Sequence, residues 1–256
     1  MAELRSTRTA AGTRTAQIDE GLRAHMNKVY GTMSVGLLFT ALVAWAIGTM
    51  VVSSTPTEYM LREGQYLTQL GYSLFASPLK WVIMFLPLVM VFAFSATINR
   101  LSAAGAQLFF YVFAAAMGLS ISWIFVVFTD VSIASTFLAT AAAFAGLSLW
   151  GYTTKKDISG WGSFLIMGVV GLIVASIINI FLQSEMLAWT VSFLGVLIFA
   201  GLTAYDTQRI KTDYIQHAQA MDGEWLAKSA IMGALNLYLD FINLFMFLLQ
   251  FMGSRE

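Results

Sequence analysis

Residues 229–252 read SAIMGALNLYLDFINLFMFLLQFM, and Asp240 is the only charged residue in this stretch. About 20 consecutive, mainly apolar residues in a helix are enough to cross the hydrocarbon core of a bilayer, so the stretch predicts a membrane-spanning helix. A charged side chain at the bilayer centre costs roughly 2.5–3.5 kcal/mol on insertion scales. Asp240 is therefore expected to face other helices or water rather than lipid.

Further apolar runs precede this one, and each is long enough to span a bilayer. The chain of 256 residues is 58% hydrophobic and only 11% charged, whereas a soluble domain is about one quarter charged. The runs lack the strict alternation of a barrel strand, and open sheet edges cannot face lipid. The sequence therefore predicts an all-α polytopic membrane bundle of seven transmembrane helices, at 29–52, 81–99, 105–129, 131–152, 161–184, 188–208 and 229–252.

The distribution of Lys and Arg predicts the orientation, because cytoplasmic loops of membrane proteins carry an excess of these residues. With a cytoplasmic N-terminus and seven spans, 11 of the 14 Lys and Arg residues lie inside and 3 lie outside. Residues 1–24 are then a polar cytoplasmic tail, residues 25–254 form the seven-helix domain, and the C-terminus lies outside. An even number of spans, with a re-entrant last segment, would move only Arg255 and stays open.

Composition excludes several classes of function. The formal net charge of zero argues against a nucleic-acid partner. With no cysteine and only two histidines, His25 and His217, disulfides, thiol catalysis and histidine-rich metal clusters are excluded. Membrane hydrolases need a nucleophile–base pair or metal ligands inside the bundle. The apolar runs contain no such set, so the chain is not expected to be an enzyme.

Asp240 shares a helix face with two amide side chains. Asn236, Asp240 and Asn243 are spaced i, i+4 and i+7, which places them on one side of a helix. A helix with a single polar stripe belongs inside a bundle. The stripe is interpreted either as a functional site or as a set of polar groups that hold the helix in place through interhelical hydrogen bonds.

Three further polar residues lie within or beside the apolar runs. Asp206 is at the inner end of the sixth span and is a second candidate for function; the alternative is a helix-end carboxylate paired with Arg209. Arg100, at the inner end of the second span, is either functional or a positive-inside anchor. Asn179, in the fifth span, is expected to form an interhelical hydrogen bond.

Two motifs resemble the C-terminal signature of the Bax inhibitor-1 family, in its bacterial YccA-type branch. They are AYDTQRIK at 204–211 and ALNLYLDFINLF at 234–245. Besides the two aspartates, these motifs contain Tyr205 and Tyr238, which we count with Asn236, Asn243 and Asn179 as supporting polar residues. The resemblance extends over most of the chain from about Ile18.

The resemblance implies a seven-helix bundle with the last helix at its centre, in the bacterial inner membrane. It also implies a pH-sensitive calcium leak in which Asp206 and Asp240 share a proton, line the ion pathway and transiently bind calcium. Arg100 would pair with Asp206 and latch the pathway closed, and no bound cofactor is implied. A family-associated acid of the second helix is replaced here by an apolar residue near Val89, which removes one calcium ligand from that picture.

Two other functions stay open. The bacterial branch resembles modulators of a membrane-anchored quality-control protease, in which case the polar tail binds the partner and the aspartates are only structural. A proton-coupled transporter could use the same acids.

The shared-proton hypothesis also has a geometric requirement: Asp206 lies about 12 Å inward of its span's centre at roughly 1.5 Å per residue. Contact with Asp240 therefore requires the last helix to be displaced toward the cytoplasm or the sixth helix to tilt.

Overall fold

A computed structural model of the chain describes the backbone of residues 2–62, 65–218 and 220–254. Side chains are described for residues 18–61, 65–218 and 220–254. Those of Arg62 and Arg255, which enter the predicted charge count, lie outside these ranges, as do those of most of the predicted tail.

Among the described residues, seven helices are long and apolar enough to cross a membrane, which confirms the predicted bundle. The third of these spans is interrupted at Ser122 and Trp123 and so consists of two helices. In chain order the helices are α1 (Ala2–Val51), α2 (Gln69–Gly71), α3 (Leu79–Thr97), α4 (Ala103–Ile121), α5 (Ile124–Val127), α6 (Asp130–Thr153), α7 (Trp161–Leu182), α8 (Glu185–His217) and α9 (Gly223–Met252).

Side-chain caps set where several helices begin. The side-chain oxygens of Ser102, Thr129 and Asp222 each accept a hydrogen bond from the backbone N–H three residues on, at 3.1, 3.2 and 2.7 Å. Such caps satisfy donors that the first turn of a helix leaves unpaired. They let α4, α6 and α9 start within a few residues of the preceding element, so that consecutive helices turn back on one another.

Two helices extend beyond their predicted ends. Helix α8 continues to His217 although the apolar run ends at 208, because charged residues mark the exit from an apolar layer and not the end of a helix. Helix α1 runs through the predicted tail boundary at 24/25 without a break. Leu22 is already buried there, with 4% of its surface exposed, so packing begins inside the predicted tail.

The longest predicted connection, 53–80, contains structure that periodicity did not predict. Strands β1 (Val52–Ser53), β2 (Tyr59–Arg62) and β3 (Gln65–Leu67) form an antiparallel sheet in the order β1-β3-β2. A π-helical turn at Tyr72–Ala76 follows α2. This small sheet lies between α1 and α3 in the chain and does not alter the all-α class of the bundle.

The last helix is the centre of the bundle, as the polar stripe and the family resemblance imply. In α9, 61% of the most apolar window is buried inside the protein, against 11–33% for the other six membrane-length helices of the described chain. Tyr238 packs edge-on against the rings of Phe110 and Phe113 of α4. On another side of α9, Phe241 packs edge-on against Phe144 of α6.

Glycines allow two pairs of helices to approach closely. A Cβ at Gly118 of α4 would lie 2.6 Å from the carbonyl oxygen of Thr40 in α1. A Cβ at Gly151 of α6 would collide with the carbonyl oxygen of Ala204 in α8. In lipid, where helix association depends on van der Waals packing, such small residues let the two backbones meet.

Candidate functional site

The side chains of Asp206 and Asp240 meet in the interior of the bundle. Asp206 of α8 is 8% exposed and Asp240 of α9 is 4% exposed, and their carboxyl groups lie within hydrogen-bonding reach of each other. Two ionised carboxylates at this separation repel each other, so the contact favours a form in which the pair shares one proton. The predicted proximity of these residues is therefore present in the structure.

The depth mismatch between the two aspartates is absorbed by the geometry of the α8–α9 hairpin. Asp206 lies about 16 Å before the end of α8 at His217, and Asp240 lies about 25 Å after the start of α9 at Gly223, at roughly 1.5 Å per residue. The start of α9 therefore lies roughly 9 Å further from the level of the two aspartates than the end of α8 does. This is the displacement of the last helix that contact required.

Two features of the surroundings define the electrostatics of the aspartate pair. Oxygen Oδ2 of Asp240 is buried and has no hydrogen-bond partner within the described residues. The charges that act on Asp206 from its own helix are those of Arg209 and, more weakly and with opposite sign, Asp213. Asp240 is thus buried without a partner for Oδ2 among the described residues, and the charged side chains that act on Asp206 belong to α8.

Within the described part of the chain, the aspartate pair offers fewer ligands than a resident calcium site needs. No group of three or more His, Cys, Asp or Glu side chains that could hold a metal ion is found in the described part of the chain. Ca²⁺ takes six to eight oxygen ligands, and Asp206 with Asp240 supplies at most four. These residues fit transient contact with a cation better than its permanent retention.

Arg100 forms no ion pair with the aspartates among the described residues. It occupies the turn after α3 with its side chain exposed. The cation whose charge acts on Asp206 is Arg209, one turn along α8, but the carboxylate within ion-pair distance of Arg209 is that of Asp213, and Asp206 lies eleven residues before the end of the helix. A latch through Arg100 stays a prediction about another conformation.

Tyr238 ties α9 to α1. Its hydroxyl lies 2.6 Å from Oγ1 of Thr40, and Thr40 in turn donates to the carbonyl oxygen of Ala114 in α4 at 2.8 Å. Because Thr40 has one hydroxyl hydrogen and its other neighbours are carbonyl acceptors, Tyr238 is the donor to Thr40. The residue is fully buried, and its role in the structure is to connect three helices.

The predicted asparagines have mainly local partners. Asn243 donates from Nδ2 to the carbonyl oxygen of Leu239, one turn back in α9, at 2.8 Å, and Asn236 is half-buried. The prediction of an interhelical bond for Asn179 is wrong. Its Oδ1 accepts from the backbone N–H of Ser184 at 2.9 Å, so it closes the turn between α7 and α8, because the amide lies in the last turn of its helix.

A chain of hydroxyl groups beside the aspartate pair was missed in the sequence. The hydroxyls of Tyr30 and Ser148 are 2.6 Å apart, and those of Ser148 and Thr207 are 2.9 Å apart. Thr207 follows Asp206 directly. Tyr30 and Ser148 also line a cavity of about 850 Å³ between α1 and α6, whose wall includes Phe241. Single hydroxyls in apolar runs were the available signal, and they are too common to single out.

A second, polar pocket lies beside the C-terminal part of α8, and Tyr205 is one of its lining residues. It has a volume of about 480 Å³ and is bordered by the 154–160 connection between α6 and α7. In that connection, Asp157 accepts a hydrogen bond from the backbone N–H of Ser159 at 2.9 Å. This hydrogen bond, assisted by the Ser159 hydroxyl, holds the pKa of Asp157 below its ordinary value.

Comparison with known proteins agrees with the motifs. Residues 22–256 match the family model described as "Inhibitor of apoptosis-promoting Bax1". The chain is 43% identical over 238 residues to "Inner membrane protein YbhL" of Escherichia coli (strain K12), covering 92% of this chain and 94% of that protein. It is 42% identical over 239 residues to an uncharacterized protein of Caulobacter vibrioides, covering 93% and 92% respectively.

Proposed function

This chain is an integral membrane protein of the Bax inhibitor-1 family, and we propose that it is a cation leak channel controlled by the proton that Asp206 and Asp240 share. Calcium is the proposed permeant ion. The proposed location is a bacterial inner membrane, with the N-terminus in the cytoplasm and the C-terminus outside, following the Lys and Arg distribution.

The observation that carries this proposal is the close approach of the two buried carboxyl groups. With one proton, the pair carries a single charge and joins α8 to α9. Loss of that proton leaves two adjacent negative charges in a poorly solvated site, which repel each other. The repulsion is relieved when the helices separate or when a cation enters between the carboxylates. Either response links proton release to cation passage.

The chemistry of the pair favours passage over storage. Hard cations such as Ca²⁺ bind oxygen ligands, and conduction requires binding that is strong enough for entry and weak enough for release. Two carboxylates without further acidic ligands fit that requirement. In the proposal Arg100 is the latch: when the proton is lost and no cation lies between the carboxylates, the guanidinium group pairs with Asp206 and holds the pathway closed.

Ion flux into vesicles containing the purified protein tests the proposal. Asp206→Asn and Asp240→Asn each remove one titrating group while keeping a hydrogen-bonding side chain of similar size. Both variants should lose the pH dependence of calcium flux. Asp157→Asn, the same chemical change in the exposed 154–160 connection, should leave that dependence intact. If flux and its pH dependence are unchanged in both Asp206→Asn and Asp240→Asn, the channel proposal fails.

The same vesicles separate the channel from the two other functions. A variant lacking residues 2–17 should retain its flux if the bundle is the channel. If that variant keeps its fold but loses a partner protease in a pull-down, and the full chain shows no flux, a modulator is favoured instead. A flux that saturates with a second, co-transported substrate would favour a transporter.

A further inference from the structure

The polar pocket at the inner end of α8 carries an excess of positive charge. It lies between the 154–160 connection and α8 and has a volume of about 480 Å³. Four basic side chains border it against two acidic ones: Lys155, Lys156, Arg209 and Lys211, with Asp157 and Asp213.

The pocket has a fixed shape because α8 is bonded to both sides of the connection. Gln208 accepts the backbone N–H of Ile158 at 2.9 Å and donates to the carbonyl oxygen of Lys156 at 2.8 Å. Lys211 donates to the carbonyl oxygen of Tyr152 at 2.8 Å and lies 5.1 Å from the centre of that ring. A binding site whose shape is already fixed loses less conformational entropy when a ligand binds.

The two carboxylates of the pocket are already engaged. Asp157 accepts the N–H of Ser159 at 2.9 Å, and Asp213 lies 3.9 Å from Arg209. Lys155 and Lys156 are exposed and form no ion pair within the described residues. Their charges are therefore available to an anion that enters the pocket.

Two tryptophans indicate the depth of the pocket relative to the bilayer. Trp150 near the end of α6 stacks on Trp161 at the start of α7, with ring centroids 6.0 Å apart. Tryptophan is enriched where headgroups meet the hydrocarbon core, and both residues flank the 154–160 connection. We propose that this pocket binds the phosphate group of an anionic phospholipid headgroup. Basic pockets between transmembrane helices are suited to such headgroups, whose phosphate offers several acceptors to lysine.

Lipid retention in native mass spectrometry tests this site. The full chain is taken from nanodiscs that contain phosphatidylglycerol and phosphatidylcholine in equal amounts, and the bound lipids are counted. The wild type should retain phosphatidylglycerol preferentially. The double variant Lys155→Gln/Lys156→Gln should lose that preference by roughly tenfold or more, because each lysine near an anionic surface contributes on the order of a fivefold gain.

The matched control is Lys80→Gln/Lys228→Gln, which removes the same charge outside the pocket. It should retain phosphatidylglycerol as the wild type does. A second arm measures binding of inorganic phosphate, with chloride at equal ionic strength, to protein in pure phosphatidylcholine. Phosphate binding that is lost only in the Lys155/Lys156 variant, without a lipid preference, would assign the same phosphate site to a soluble source. Equal lipid retention by all three proteins and no phosphate binding would overturn the site.

Discussion

The hydroxyl of Tyr238 lies 2.6 Å from the hydroxyl oxygen of Thr40, at a point where neither side chain reaches solvent. The bond joins the central helix α9 to α1, and through Thr40 it reaches the backbone of α4. Water cannot replace a lost partner at this depth. Removing the tyrosine hydroxyl therefore measures how much this one buried hydrogen bond stabilises the bundle.

Tyr238→Phe should lower the free energy of unfolding by about 1 kcal/mol, the usual contribution of one such bond. The ring and its packing against Phe110 and Phe113 remain, so the loss is confined to the hydroxyl. The measurement is denaturant-induced unfolding in mixed micelles. Tyr66→Phe is the control, because Tyr66 is half-buried and has no side-chain hydrogen bond in the described structure. Equal stability of both variants would contradict the assignment.

Gly151→Ala should destabilise the protein by about 1–3 kcal/mol, since a methyl group there meets the backbone of Ala204 and the two helices must move apart. Gly146→Ala provides the comparison within α6. A Cβ at Gly146 meets nothing within 4 Å, so this variant should gain up to about 1 kcal/mol from helix propensity. Thermal unfolding of both variants in the same detergent checks that the two changes in stability have opposite signs.

The carboxyl group of Asp157 should titrate below its ordinary pKa, because the backbone N–H of Ser159 stabilises the ionised form. A carboxyl with a lowered folded-state pKa stabilises the protein above its unfolded pKa, and that contribution is lost as the pH falls through the folded value. Acidification should therefore loosen the 154–160 connection. Carbon-13 chemical shifts of Asp157 follow the titration.

Ser159→Ala is the variant that separates the two parts of this effect. It removes the hydroxyl contribution but keeps the backbone N–H, so the pKa of Asp157 should rise only part of the way toward its ordinary value. A pKa that does not move would show that the backbone bond acts alone. A full return to the ordinary value would contradict the dominant role of the N–H.

The proposed orientation can be tested by labelling single introduced cysteines, because the chain itself contains no cysteine that would react with the label. Single cysteines at Ser159, between α6 and α7, and at Thr57, in the sheet-bearing connection, should be labelled from opposite sides of the membrane. A membrane-impermeant maleimide applied to intact cells should modify Thr57→Cys and spare Ser159→Cys. The reverse pattern would invert the orientation and place the polar pocket at the outer surface.

The sequence was sufficient to predict the features that depend on hydropathy. The seven spans and the interior position of Asp240 follow from the cost of placing charge in lipid. The predicted end of the sixth span, at 208, fell short of the end of α8 for a physical reason: Arg209 and Asp213 favour water, but as an i, i+4 pair they also stabilise the helix. The apolar run therefore ended before the helix did.

Features that depend on tertiary contact could not be predicted in the same way. The hydroxyls of Thr40, Ser148 and Thr207 carry no periodic signal, and each becomes notable only when another helix lies beside it. Strands of two to four residues, such as those of the small sheet, are too short to show alternation. The contact between Asp206 and Asp240 was proposed from the family resemblance, since spacing alone gave the two residues different depths.

The continuation of α8 beyond its apolar run has a mechanical consequence. A straight segment of about 16 Å joins the Asp206 level to the end of the helix, and α9 begins beside it after a short turn. In the proposed topology this hairpin lies at the cytoplasmic end of the bundle, where a soluble protein can bind it without entering the bilayer. A rotation of this segment would move Asp206, because both belong to the same helix. In the proposed function, a partner protein that rotates this part of α8 would then change how readily the proton leaves the carboxyl pair. The channel and the partner-controlled functions would in that case depend on the same hairpin.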